Sequence, residues 1–174
     1  MEIHVGVKFN VIHLAAEKIN DPRVGELIRT GKLLAQKGFC PENCGNLSFR
    51  ILNGFVITRV GASLGNLMSG DFVLVKDIDL VEKKVFCAGT IKPSSESMMH
   101  KMIYDARPDT QVILHAHSLS LRNAITTKQA YPYGTLEFAR SAVDVLKTCD
   151  LVILKDHGFV STGNTVEEAF QRIQ

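Results

Sequence analysis

The segment Leu47-Ser48-Phe49-Arg50-Ile51-Leu52-Asn53-Gly54-Phe55-Val56-Ile57-Thr58 sets an Asn-Gly dipeptide between two apolar runs. That arrangement is the strongest short-range sign of a β-hairpin, so two adjacent antiparallel strands are predicted here. Downstream, Phe72 to Val75 and Val85 to Ala88 read as further strands around a polar turn containing Lys83 and Lys84. Val112 to His117 and Leu151 to Lys155 are short apolar runs of the kind that form buried strands. Helices alternate with them. Asp21-Pro22 is an N-cap with proline at the first helical position. The apolar stripe after it is Val24, Leu27, Ile28, Leu34 and Ala35, and Gly38 is the stop. Gly31 within that stripe costs about 1 kcal/mol against alanine. Ser94-Ser95-Glu96 opens a second helix with Met98, Met99, Met102, Ile103 and Ala106 on one face, closed by Arg107-Pro108-Asp109 because the residue before proline leaves the helical region. A third is predicted over about Thr135 to Thr148, burying Leu136, Ala139, Val143 and Leu146. Thr165 with Glu168 forms a capping box for a last one. At the other end Ile3, Val5, Val7, Phe9 and Val11 alternate with polar residues, the period of a half-buried strand. The order predicts one α/β domain over 1–174, a mixed sheet covered by helices, with an extra N-terminal strand at about 1–12.

Composition narrows the function classes. Hydrophobic residues make up 45% and charged residues 22%, which excludes wholesale disorder. Lys plus Arg is 20 against Asp plus Glu 18, a net charge of +2 with no clustered basic face, so nucleic acid is not an expected partner. Apolar runs such as Leu151 to Leu154 fall far short of the ~20 residues that span a bilayer, so no membrane partner is expected. No basic stretch followed by an apolar one opens the chain, so no secretory signal is expected. Cys40, Cys44, Cys87 and Cys149 do not read as a disulfide framework, which makes a reduced, cytoplasmic setting the expectation.

The histidines point to chemistry. His115 and His117 stand at i and i+2 on an apolar strand, so both imidazoles share a face. Two polar residues where a strand leaves the core would look the same. A cation between neutral rings also explains the pairing, since two protonated rings would repel. His157 ends a second apolar strand, and strand ends of α/β sheets are where ligands bind. Glu96 lies in the first turn of the helix that precedes the His-x-His strand. Three imidazoles and a carboxylate suit zinc or another divalent transition metal.

Five motifs occur in order: Gly45-Asn46-Leu47-Ser48-Phe49-Arg50, Pro93-Ser94-Ser95-Glu96, Arg107-Pro108-Asp109, His115-Ala116-His117 and Asp156-His157-Gly158. In these the chain, over about residues 22–172, resembles the class II aldolase/adducin family, with fuculose-phosphate aldolase, ribulose-phosphate 4-epimerase and methylthioribulose-phosphate dehydratase among its members. The resemblance implies a three-layer domain with a mostly antiparallel mixed sheet flanked by helices. It implies zinc on His115, His117 and His157, with Glu96 as a further ligand or as the acid/base. It also implies a substrate phosphate held by Asn46, Ser94 and Ser95, with Gly61 offering backbone. Thr58-Arg59-Val60-Gly61 departs from the pattern, with valine where the family has a hydroxyl and Arg59 as an alternative source of charge.

Two more departures concern the reaction. The stretch from His117 to His157 is shorter than in the aldolases, whose loop there gives a catalytic tyrosine to a neighbouring subunit. Tyr131 and Tyr133 remain, in what reads as a turn. The aldolases also continue beyond the position of Gln174 with a helical segment that closes over the site. The expected function is a metal-dependent lyase, aldolase-like, cleaving a small phosphorylated sugar or related hydroxy-carbonyl compound through an enediolate, in a homotetramer. Epimerisation or dehydration on the same site is the alternative, and an adducin-like assembly module without catalysis is a third. That module lacks the metal ligands retained here.

Other signals carry less. Gly61-Ala62-Ser63-Leu64-Gly65 matches a nucleophile elbow, but the residues after it read as loop where that motif needs a helix. Cys40 and Cys44 have no second Cys/His pair nearby and read as loop thiols. His100 falls four residues after Glu96 on the same helix face, where it either bonds the glutamate or packs. His4 and His13 have no evident partner. Lys92 has no neighbour that would make it a Schiff-base nucleophile.

Overall fold

In a computed structural model the described residues are 9–119, 121–122 and 124–174. They form nine strands and four helices. The strands are β1 (Asn10–Leu14), β2 (Asn46–Ile51), β3 (Gly54–Thr58), β4 (Phe72–Asp79), β5 (Lys84–Ala88), β6 (Val112–Ala116), β7 (Ile125–Thr126), β8 (Leu151–Leu154) and β9 (Gly158–Gly163). The helices are α1 (Arg23–Gln36), α2 (Ser97–Ala106), α3 (Leu136–Leu146) and α4 (Val166–Gln171).

All nine strands join one sheet in the order β1-β5-β4-β3-β2-β6-β9-β8-β7. Only the outermost pairs, β1 with β5 and β7 with β8, are parallel. This is the predicted mixed, mostly antiparallel sheet. Alternation along the strands builds two cores. Ile57, Val75, Ile113 and Val160 face α2 and α3 with Met99, Ile103 and Phe138. Val56, Leu74, Leu114 and Phe159 face α1 and α4 with Leu27, Leu34 and Val166. The result is three layers, helices on both faces of the sheet.

Three predictions shift in detail. The hairpin tip is Leu52-Asn53, one residue earlier than the dipeptide implies, because Gly54 already pairs with Ile51. The N-terminal strand runs over Asn10–Leu14 among the described residues; Ile3, His4, Val5 and Val7 lie outside them. Thr165 accepts a bond from Glu168 N as a cap should, while the Glu168 carboxylate accepts from Asn164 N rather than closing on Thr165. One central strand, β9, was not anticipated at all. Its Ser161 and Thr162 between two glycines carry little strand signal, yet every residue of it is buried.

Candidate metal centre

The site forms where α2 begins over the face of β2 and β6. Asn46 pairs with His115 across the antiparallel ladder, so their side chains project to the same face. Ser48 is two residues on and shares that face. Opposite them α2 presents Glu96, His100 and Tyr104 at i, i+4 and i+8, one stripe of the helix. Helix stripe and strand alternation thus mesh. This packing puts a carboxylate among the histidines.

His157 arrives from the other side, in the hairpin between β8 and β9. Leu154 pairs with Gly158, so the loop is Lys155-Asp156-His157. Asp156 takes a left-handed φ of 62°, a conformation Asp tolerates better than most residues. Gly158 is fixed by space: a Cβ there would stand 2.4 Å from the Ala116 carbonyl oxygen. The Asp-His-Gly motif is therefore the turn that presses His157 against the end of β6.

The three imidazoles converge. One ligand atom from each of His115, His117 and His157 lies within 4.8 Å of the others. The His115 and His157 rings stack with centroids 5.1 Å apart, and His117 is 4.5 Å from His157. Phe138 of α3 packs edge-on against His157 at 4.8 Å. Glu96 sits between them, Oε1 2.9 Å from His157 Nε2 and Oε2 3.1 Å from His115 Nε2.

These groups fit a divalent cation. Phe159 O lies 2.7 Å from His115 Nδ1 and can only accept, so Nδ1 carries the proton and Nε2 of a neutral ring is a lone pair. That Nε2 is buried and makes no hydrogen bond among the described residues. An orphaned nitrogen lone pair beside two more imidazoles is what a metal satisfies. Burial, helped by His115 and His157 and partly opposed by Glu96, pushes His117 down to about 3, so it is neutral and able to ligate. Burial pushes the Glu96 carboxyl up, but His115 and His157 outweigh it and hold the group well below the usual carboxylate range. The donor set is three imidazoles and one carboxylate.

A cavity of about 570 Å³ opens over this cluster. Asn46, Gly61, Ser94, Ser95, Glu96, His117 and His157 all line it, so seven of the eight expected site residues share one pocket wall; the eighth, His115, lies buried directly beneath. Ser95 Oγ is buried with no hydrogen-bond partner among the described residues, a donor available to an anion. Ser94 Oγ accepts from Glu96 N at 3.3 Å, a turn just ahead of the helix and not the N-cap the sequence allowed, since Glu96 occupies that position. Asn46 is more committed than its motif suggests: its Nδ2 donates to Glu96 Oε2 at 2.5 Å.

The structure also places the residues with weaker sequence signals. Tyr133 does lie in a loop, but it is buried, lines the cavity, and its ring sits 6.1 Å from that of His157. Tyr131 instead donates to Gln129 Oε1 at the surface. The fully buried His100 ring does not meet the Glu96 carboxylate directly and reaches it through Asn46. Arg59 lines the cavity and its Nε donates to Asp71 at 2.6 Å. Cys40 and Cys44 are free thiols, Cys40 pushed up to about 12 by burial and by Cys44. The Gly-x-Ser-x-Gly stretch leads into a three-residue 3-10 turn over Leu64–Asn66, not a helix, so it is no nucleophile elbow.

Comparisons with known proteins give the family and the fold. The family model described as the class II aldolase and adducin N-terminal domain matches residues 25–129 and 118–174. An L-fuculose phosphate aldolase of Methanococcus maripaludis is 29% identical over 168 residues, covering 83% of this chain and 87% of that one. A methylthioribulose-1-phosphate dehydratase of Pseudoalteromonas translucida is 39% identical over 101 residues, 58% of this chain; the match spans 46% of the dehydratase, under half its length. Among solved structures, an L-fuculose 1-phosphate aldolase superposes with a TM-score of 0.74 at 24% identity, covering 89% of this chain and 81% of that one. A sugar-phosphate aldolase from Thermotoga maritima gives 0.71 at 20% identity, with 86% and 88% covered. The chain belongs to the class II aldolase and adducin family.

Proposed function

We propose that this chain is a divalent-metal-dependent lyase, with zinc as the expected metal, that cleaves a small phosphorylated sugar or related hydroxy-carbonyl compound. The observation that carries the reading is the convergence of three imidazoles and one carboxylate on the floor of a single cavity. His115, His117 and His157 hold the metal. When bound, it supplies a Lewis-acid charge that stabilises negative charge developing on adjacent substrate oxygens.

The chain's own residues do the rest. Glu96 is anionic and lies within reach of the cluster's open side, so it takes up and returns the substrate proton. Ser94 and Ser95, at the start of α2, donate to the distal phosphate together with backbone N–H groups near Gly61. Asn46 contributes through the second hydrogen of its amide. Buried Tyr133 narrows the cavity beside His157, and Phe138 packs edge-on against the His157 ring and holds it there.

Dehydration is the second reading, favoured by the 39% identity to the dehydratase over the shared stretch. It uses the same base and metal. The assembly-module reading is disfavoured by the intact donor set. We further infer a homo-oligomer, a tetramer, acting in the cytoplasm; no helix among the described residues is long and apolar enough to cross a membrane.

One experiment tests the reading. Metal per chain is measured on the purified protein, which is then offered a panel of sugar phosphates and scored for cleavage, epimerisation and dehydration before and after chelation. Cleavage that disappears with chelation and returns with zinc supports the lyase. Dehydration alone transfers the assignment to the second reading, and a protein that binds no divalent metal refutes both.

A further inference from the structure

Beneath the cavity floor, five side chains form an unbroken hydrogen-bonded line. Tyr104 Oη meets Ser48 Oγ at 2.7 Å, and Ser48 Oγ meets His100 Nδ1 at 2.7 Å. His100 Nε2 meets Asn46 Oδ1 at 2.6 Å, and Asn46 Nδ2 meets Glu96 Oε2 at 2.5 Å. All five side chains are buried.

Every donor in that line is forced once its end is fixed. An ionised carboxylate can only accept, so the Asn46 atom facing Glu96 is its amide nitrogen. The carbonyl oxygen then faces His100, and Nε2 must carry the proton. A neutral imidazole leaves Nδ1 as an acceptor, so Ser48 gives its hydroxyl hydrogen to it. The phenol of Tyr104 must then donate to Ser48 Oγ. Burial keeps His100 in the neutral form this requires.

We propose that His100, oriented by Ser48 and Tyr104, is a positioning residue that locks the Asn46 amide so that its N–H holds the Glu96 carboxylate in place among the histidines. Without that lock the amide can rotate by a half-turn and set its oxygen against the carboxylate, pushing Glu96 off its position. The line does not carry protons. An amide interrupts it, and an amide nitrogen does not pass a proton on in neutral water. Its effect is orientational, and it rests on Glu96 being the base proposed above.

The test has a readout that needs no turnover. Nitrogen-15 NMR of the full-length protein with labelled histidine reports the His100 tautomer directly. A protonated Nε2 with a bare Nδ1 is expected, and a protonated Nδ1 overturns the proposal whatever the enzyme does. His100→Leu should lower kcat by about 10–100-fold, the range for losing an outer-shell partner, with metal per chain unchanged. His100→Gln keeps an N–H for Asn46 and should restore most of kcat. A Gln variant no better than Leu, or activity lost in step with bound metal, overturns the proposal. If His100→Leu does not fold, Ser48→Ala decides: the Glu96 end still fixes the Nε2–H, so that signature should stay while kcat falls because the ring has lost its anchor at Nδ1, and an unchanged kcat or a protonated Nδ1 refutes the proposal. Absence of turnover in the wild type would remove the proposed function and leave the tautomer result standing.

Discussion

Acidification should weaken the fold through His100 by an amount that can be worked out. The imidazole is fully enclosed, and burial, with His115 adding to it and Glu96 partly opposing, pushes it down to about 3. In the unfolded chain it returns to an ordinary value near 6.5. A group whose folded value is depressed contributes fully above its unfolded value and loses that contribution as pH falls towards the folded one. The window is therefore pH 6.5 down to about 3. Between pH 7 and pH 5 the unfolded chain takes up the proton and the folded chain does not, which integrates to about 2 kcal/mol of lost stability. For a chain of this size that is about 4–8 °C in Tm. The assay is thermal or urea unfolding at pH 7 and pH 5, wild type against His100→Gln. Glu96, His117 and every other titrating group are common to both proteins and cancel in the difference. The variant should lose about 2 kcal/mol less over the interval than the wild type does. Equal losses would mean that His100 is not held neutral in the fold, and the buried line of hydrogen bonds would not exist as described.

Three further outcomes are expected. His115→Ala, His117→Ala and His157→Ala should each lose most bound metal, by elemental analysis, while circular dichroism shows the fold retained; full occupancy in any one strikes that residue from the ligand set. Glu96→Gln should keep metal and substrate binding and lose about two to four orders of magnitude in kcat, and normal turnover would place the base elsewhere. Light scattering should return about four times the 19.2 kDa chain mass, and a monomer would refute the tetramer.

Most of the architecture was legible because period and punctuation agree. The hairpin of β2 and β3 around Asn53-Gly54, the Asp21-Pro22 start of α1 and the Thr165 cap of α4 all appear where local chemistry puts them. β9 was not legible, since Gly158 to Gly163 holds glycines and hydroxyls whose burial is decided by β6 and β8 on either side. Local propensity has no access to that. The place of Tyr133 at the cavity was not legible for a related reason: its turn-like surroundings are real, and only long-range packing brings it to His157.

The histidine cluster and Glu96 were legible as residue types at strand and helix ends, but what each side chain touches was not. Asn46 illustrates the gap. Its motif marks it as a phosphate contact, yet one N–H and the carbonyl of its amide are already taken by Glu96 and His100. That commitment follows from two long-range facts, the pairing of Asn46 with His115 and the laying of α2 along that face. Given those, the rest is arithmetic: residues 46 and 48 on the strand, and 96, 100 and 104 on the helix, must interleave. An asparagine held at both ends can offer substrate only its remaining N–H. Under the proposed function, a substrate anion that takes this N–H would pull on the same amide that holds Glu96.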